Sequence, residues 1–254
     1  MAHRYLFEQM VRRELRQKYR GSALGVLWYL INPLVLMGAY YLMFGVIFDQ
    51  ASEPDYPLFL LVGLVVWVFF NQAVMSAAPS LLDQGVLIRK ARFPREIIPA
   101  SVVSVQLVTF LALIALLAPI TIAIRGTLDV ALLLLPFVLA CLFAFILGLA
   151  FAVSILHAYF RDVAPILSAA LLPWFFLSPI FFRPQSITEQ ATARFVLEWV
   201  NPIAPYIGAI RDVIYGGVVP SAPQLTYVVV MAAVVLAGGH RLFRRLQGEL
   251  AVVV

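Results

Sequence analysis

The chain has 254 residues, of which 63 % are hydrophobic and only 12 % charged, and its formal net charge is +5. Soluble domains run at about 45–50 % apolar and about 25 % charged, and one domain of this length cannot hide the surplus in a core. Part of its surface must therefore face lipid. This excludes a soluble enzyme and a disordered chain, and the single cysteine, Cys141, excludes a disulfide scaffold.

At the N-terminus, Leu6, Phe7, Met10, Val11, Leu15 and Tyr19 recur at helical spacing, and Arg12, Arg13, Arg16 and Arg20 cover much of the remaining surface. Glu8–Arg12 and Glu14–Lys18 are i,i+4 pairs in the favourable order. Residues 1–23 are thus expected to form an amphipathic helix in the membrane interface, its apolar face at the acyl boundary. Its arginines can reach an anionic lipid headgroup or a pyrophosphate with their planar forks. The competing reading is simple topology anchoring by positive charge. The start does not resemble a cleaved signal peptide, because some 23 polar residues precede an apolar run that is too long.

A membrane-spanning helix needs about 20 apolar residues. Six stretches meet or approach that length: Leu27–Phe48, Leu58–Ala78, Ile97–Ile124, Val130–Leu156, Ala164–Phe182 and Leu225–Gly239, the last extending toward Phe243. None contains Asp, Glu, Lys, Arg or His. The N-terminal segment, the loop with Arg89, Lys90, Arg92 and Arg95, the loop with Arg161 and the tail with Arg241, Arg244 and Arg245 hold fourteen of the 18 basic residues. All four fall on one side of a six-span layout, and the positive-inside rule makes that side, with both termini, cytoplasmic. Asp49, Glu53 and Asp55 fill the first loop on the other side, with no basic partner in that loop. Segment 183–224 is ambiguous. Asn201, Pro202, Pro205, Arg211 and Asp212 interrupt its apolar run, and a seventh span would place the Arg241–Arg245 cluster outside. It is expected to dip into the membrane and return, or to lie as an amphipathic helix on the outer surface.

Within loop 83–96, Arg89, Lys90, Arg92, Phe93, Pro94, Arg95 and Glu96 combine charge with an aromatic and a proline. Pro94 disfavours helix at Phe93 and can start a new one, so Arg95 and Glu96 are expected in the first turn leading into the third span. A short rigid element of this kind suits docking into a cleft of a soluble partner. The 33 aromatic residues include clusters at or within spans, among them Trp28-Tyr29, Tyr40-Tyr41 and Trp174-Phe175-Phe176. Such faces can pack on sugar C–H surfaces, although core and belt packing is the ordinary use of each. Glu189 and Glu198, nine residues apart in the polar segment, are expected to be solvated surface.

No catalytic motif accompanies these features. There is no metal-ligand spacing among His3, His157 and His240, no G-x-S-x-G and no G-x-x-x-x-G-K-[ST]. Energy for any uphill movement must then come from a partner.

The order of motifs is specific in combination: the basic helix, Gly21-Ser22-Ala23-Leu24-Gly25-Val26-Leu27-Trp28, Asn32-Pro33, the Phe93-Pro94 loop, Tyr159-Phe160-Arg161-Asp162-Val163, Ser178-Pro179, Asn201-Pro202 and Arg211-Asp212. The chain resembles the permease subunit of ABC exporters for lipid-linked polysaccharides, the group that exports O antigen, capsule and teichoic acid. The resemblance implies an all-α, six-span subunit of the bacterial inner membrane that pairs with a second copy of itself and with two ATP-binding subunits. ATP and magnesium would bind in that partner and no cofactor in this chain. Lipid-linked polysaccharide and membrane lipids are the other expected partners; nucleic acid is not. The 89–96 loop would be the coupling element, residues 1–23 a gate helix, and 183–224 an external re-entrant segment. An ABC permease for a drug or small lipid, and an integral membrane transferase using Asp83, Asp162 or Asp212, are the alternatives.

Overall fold

A computed structural model describes residues 2–19, 28–48, 53–90, 93–187 and 190–250. Among them there is helix and turn but no strand. In hydrocarbon a helix satisfies every internal backbone group within its own segment, which makes it the natural solution for these apolar runs.

Helix α1 is Ala2–Tyr19, and α2 is Trp28–Tyr40, continued by π-helical turns to Ile47. Next come α3 (Tyr56–Ala77), the short α4 (Ser80–Asp83) and α5 (Gly85–Lys90), then α6 (Ile97–Arg125). They are followed by α7 (Leu135–Tyr159), preceded by a 3-10 turn from Val130, α8 (Val163–Phe176), α9 (Ala191–Phe195), α10 (Ala204–Arg211) and α11 (Ala222–Leu246). Five helical segments are long and apolar enough to cross a membrane: Leu30–Ile47, Tyr56–Ala77, Ile97–Arg125, Val130–Tyr159 and Ala222–Leu246.

The fifth expected span departs from its prediction. The stretch Ala164–Phe182 is apolar throughout, but α8 stops at Phe176 after 14 residues. Pro179 cannot continue a helix and biases Ser178 away from helical backbone. At about 1.5 Å per residue α8 is roughly 21 Å long, short of a hydrocarbon core of about 30 Å. The rest of the run, Leu177–Phe182, is irregular chain.

Helix α3 is the axis of the bundle. From Pro57 to Phe70 it is apolar on all faces, and it buries Phe59, Leu60, Val62, Leu64 and Val66 completely against its neighbours. Helices α7 and α11 pack along their length because Gly148 meets Gly239: a Cβ on Gly239 would lie 1.9 Å from the Gly148 carbonyl oxygen. Small residues let helices approach closely in lipid, where apolar side chains alone give no preference for protein over acyl chain. By contrast α2 and α8 carry open apolar faces, with Val35, Ile166, Leu172 and Phe176 exposed.

The two ends of the bundle differ. At the basic end Met10, Leu81, Ile88, Ile98, Ile155, Phe243 and Leu250 form a separate apolar cluster. The N-terminal helix, the loop between α3 and α6, the end of α7 and the end of α11 therefore share one end, as the basic-residue count requires of a six-crossing layout. At the opposite end, residues 183–217 leave and return: Arg183 and Asp212 face each other at 3.5 Å. Between them the chain reaches Tyr206, whose ring stacks on Phe145, ten residues into α7, and whose hydroxyl donates to the Val228 carbonyl at 2.9 Å.

Candidate functional site

The irregular segment after α8 raises a physical question, because backbone carbonyls at that depth need donors. Side chains from three other elements supply them. Asn201 Nδ2 donates to the Leu177 carbonyl at 3.1 Å and Tyr56 to the Phe181 carbonyl at 2.9 Å. Arg211 donates to Pro179 at 2.8 Å and, through Nη2, to Ile180 at 3.1 Å and Phe59 at 3.2 Å. Three dipeptides singled out in the sequence, Ser178-Pro179, Asn201-Pro202 and Arg211-Asp212, thus meet in one hydrogen-bonded knot. Arg211 is 3 % exposed, lies 3.6 Å from the Phe59 ring centroid and has a neutral cage of carbonyls around it. Burial pushes its pKa down to about 9, helped by Arg183 and opposed by Asp212 and Glu53, so it stays charged at neutral pH. The sequence marks it as an interruption of an apolar run and as part of Arg211-Asp212, but assigns it no role as a donor to buried carbonyls.

Around the knot the charges pair across the sequence. Arg183 bonds Glu53 at 2.7 Å and Asp212 at 3.5 Å, and Arg125 bonds Asp55 at 3.2 Å. Glu53 and Asp55, which lack a basic partner in their own loop, find them in the chain that follows α8 and at the end of α6. Asp212 is therefore an ion-pair member, which argues against a role as a transferase acid.

Below the knot, α2, α3 and α8 enclose a cavity of about 320 Å³ open to the exposed α2 and α8 faces. Asn32, Asn71, Gln72 and Ser168 supply its polar lining, and Tyr40, Trp67 and Phe175 its aromatic lining. Sequence inspection looked for charges inside spans and missed the amide pair Asn71-Gln72, which was visible as two polar residues in α3. The expected channel aromatics separate into two groups. Trp28, Tyr41 and Phe176 are exposed, and Tyr40 borders the cavity. Phe175 is buried, and Trp174 packs edge-on to Trp67 and Phe70 while its indole N–H donates to Asn201 Oδ1 at 2.8 Å. The side chain of Tyr29 lies outside the described residues, as do Arg20 and Arg92.

At the basic end the 83–96 segment is mostly helical, with α5 in place of an open loop. Helix α6 begins at Ile97, so Pro94, Arg95 and Glu96 form a turn before it and not its first turn. Phe93 is half-buried against the basic-end cluster, and Arg95 donates to the Gln247 carbonyl. Glu96 faces Arg244 at 3.5 Å and His240 at 3.8 Å, and the Tyr159 hydroxyl donates to Leu246 at 2.6 Å. Among the described residues of the segment, Asp83, Val86, Arg89, Lys90 and Pro94 are exposed. In α1, Arg12, Arg13 and Arg16 are exposed, while Met10 turns into protein and not into lipid. Glu14 accepts from Gln84 at 3.5 Å. A polar cavity of about 550 Å³ separates α1 from α4 and α6, lined by Arg13, Glu14, Ser80, Asp83, Ser101 and Gln106.

This arrangement holds no cluster of metal-ligating side chains among the described residues. Residues 5–215 match the family model described as ABC-2 type transporter. The chain belongs to the ABC-2 type transporter family. It is 31 % identical over 98 % of its length to an O-antigen export system permease protein RfbA of Myxococcus xanthus, covering 95 % of that protein. A protein of the same name from Klebsiella pneumoniae is 28 % identical over 84 % of this chain and 82 % of its own length. The polysialic acid transport protein KpsM of Escherichia coli is 26 % identical over 93 % of this chain and 92 % of its own. An ABC-2 type transporter of this build is a multi-pass membrane subunit, not itself catalytic.

Proposed function

We propose that this chain is the transmembrane subunit of an ATP-driven exporter of lipid-linked polysaccharide, O antigen or a related cell-surface glycan. Two copies pair through the open faces of α2 and α8, and two ATP-binding subunits dock on the basic end in the cytoplasm, where both termini lie. The observation that carries the reading is the α2–α3–α8 cavity: amides and aromatics without a charged side chain, on the face left open for a second copy. Amides exchange hydrogen bonds with hydroxyls and rings cover C–H faces, so a polyhydroxyl polymer can slide past without being held by an ion pair. The relatives' names support the cargo class. ATP and magnesium are bound by the partner, and closure of the partner pushes on α5, rocking α8 against α2. The exposed arginines of α1 suit the pyrophosphate of a lipid carrier.

The test is reconstitution of the chain with its ATP-binding partner in proteoliposomes. ATP-dependent movement of lipid-linked polysaccharide is expected, together with its loss on changing Asn71 and Gln72 to leucine. Stimulation of ATP hydrolysis by small hydrophobic compounds, with none by lipid-linked glycan, would replace this reading with that of a drug or small-lipid permease.

A further inference from the structure

A second cavity, of about 300 Å³, opens at the far end of the bundle between the two arms of the returning segment and the start of α11. We propose that it is a subsite for one neutral sugar unit of the emerging polymer. The proposal rests on the reading that the cargo is a polysaccharide and adds a second place where this chain holds it.

Its lining has the parts that saccharide recognition requires. Trp199 supplies an aromatic face and is held edge-on by Tyr227, the ring centroids 5.7 Å apart. Planar polar side chains surround it in fixed pairs. Gln185 donates to Glu198 at 3.2 Å, Arg183 to Asp212 at 3.5 Å, and Gln224 to the Pro205 carbonyl at 3.2 Å. A sugar hydroxyl donates and accepts at once, so alternating amide, carboxylate and guanidinium groups match it, and groups already locked in pairs lose little freedom on binding. Arg211 also lines the cavity; it is 3 % exposed and its Nε–H has no hydrogen-bond partner among the described residues. An unpaired buried donor in a cavity wall marks a place for an acceptor oxygen.

Charge decides which sugar. Arg183 and Arg211 stand against Asp212 and Glu198 in the same lining, so the cavity carries no net charge to draw an anion or a cation. A neutral hexose or deoxyhexose keeps this balance, whereas a charged sugar would upset it by one buried charge without a counter-ion of its own. The volume is at the lower limit for ligand pockets, which admits one monosaccharide and not a chain.

The probe is Val219→Cys in a Cys141→Ser background. Val219 borders the cavity, is exposed, and makes none of the proposed contacts. The complete complex with its ATP-binding partner is reconstituted, and the rate of modification by a membrane-impermeant thiol reagent is read with and without neutral gluco-, manno-, galacto- and rhamno-oligosaccharides and an acidic oligosaccharide. At least one neutral series is expected to slow modification severalfold. The acidic one should protect less, Trp199→Ala should abolish protection, and Trp199→Tyr should keep it. No protection by any neutral series, in a preparation that exports polymer in parallel, overturns the subsite and leaves the exporter intact. Equal protection by the acidic oligosaccharide overturns the assignment to neutral sugars. A complex that hydrolyses ATP but moves no polysaccharide overturns the functional reading and the subsite with it.

Discussion

Arg211 passes so close over Gly63 that a Cβ at that glycine would stand 2.4 Å from its Nη2. Glycine in the middle of α3 is what admits a buried guanidinium to the Phe59, Pro179 and Ile180 carbonyls. Gly63→Ala must shift the guanidinium off these carbonyls, and weakening hydrogen bonds to a buried charged group costs about 1.5–3 kcal/mol. Arg211→Met leaves three carbonyls without that donor and is expected to cost about 3 kcal/mol. The two changes strike one contact, so the double variant should lose clearly less than the sum. Thermal unfolding of the four proteins in one detergent measures this; additive losses would contradict the contact.

Asn201 is the second fastening of the same segment. Its amide accepts from Trp174 and donates to Leu177 and to Ser178 Oγ, the latter at 3.1 Å. Asn201→Ala leaves an indole N–H and a carbonyl, both part-buried, without these partners, at about 1 kcal/mol each. Trp174→Phe removes the indole donor and trims the ring against Trp67 and Phe70, but Asn201 Oδ1 still accepts from the Ile203 N–H at 3.3 Å, so it should be milder. Melting temperatures in that order, wild type above Trp174→Phe above Asn201→Ala, are the expected result.

The outward face of α5 predicts which residues meet the ATP-binding subunit. Val86→Asp combined with Arg89→Ala and Lys90→Ala should weaken its association about tenfold or more, as expected for loss of central interface contacts. Arg95→Ala should instead loosen the C-terminal turn, since its partner is the Gln247 carbonyl. Pull-down affinity separates the two variants: the first loses partner binding, the second keeps it and melts earlier.

Asp212 gives the far end a pH dependence. Burial raises its pKa above the usual carboxylate range, against the opposing pull of Arg183 and Arg211 and of hydrogen bonds from Arg183 and Gln224. A raised folded-state pKa means that the folded chain holds the proton more tightly than the unfolded one. At this position stability therefore rises as pH falls through the raised pKa and is lost as pH climbs back through it. Asp212→Asn removes this titration, so the change in melting temperature between pH 7 and pH 5 should shift toward a smaller gain or a larger loss on acidification.

The spans were legible in the sequence wherever the physics is local. An uncharged run such as Tyr56–Ala77 can only be a helix in lipid, and the basic segments sort to one end by count. In the fifth run apolarity alone does not report that the helix stops at Phe176; Ser178-Pro179 does, and its meaning appears only when Arg211 and Asn201 arrive to satisfy the freed carbonyls. The pairing of Glu53 with Arg183 spans 130 positions, and no spacing rule reaches that far. Phe93 and Arg95 read by residue type as part of a docking element, and the structure leaves both half-buried, because the end of α11 comes to rest beside them. The Asn71-Gln72 pair was on view, but it is uncharged and drew no notice in a search for ionised groups.

Helix α8 is fastened at one tip and little restrained along its flank. Its far tip is tied by Asn201, Arg211 and Tyr56, while Pro165, Ile166, Ser168 and Leu172 lie bare. In the proposed exporter a rod held in this way would swing about its fixed tip: a push passed through the short turn from α7 would move the opposite tip sideways through the largest arc and barely shift the anchored one. The inner doorway would then widen first while the outer sill keeps its shape, which gives each stroke a direction before any cargo has entered.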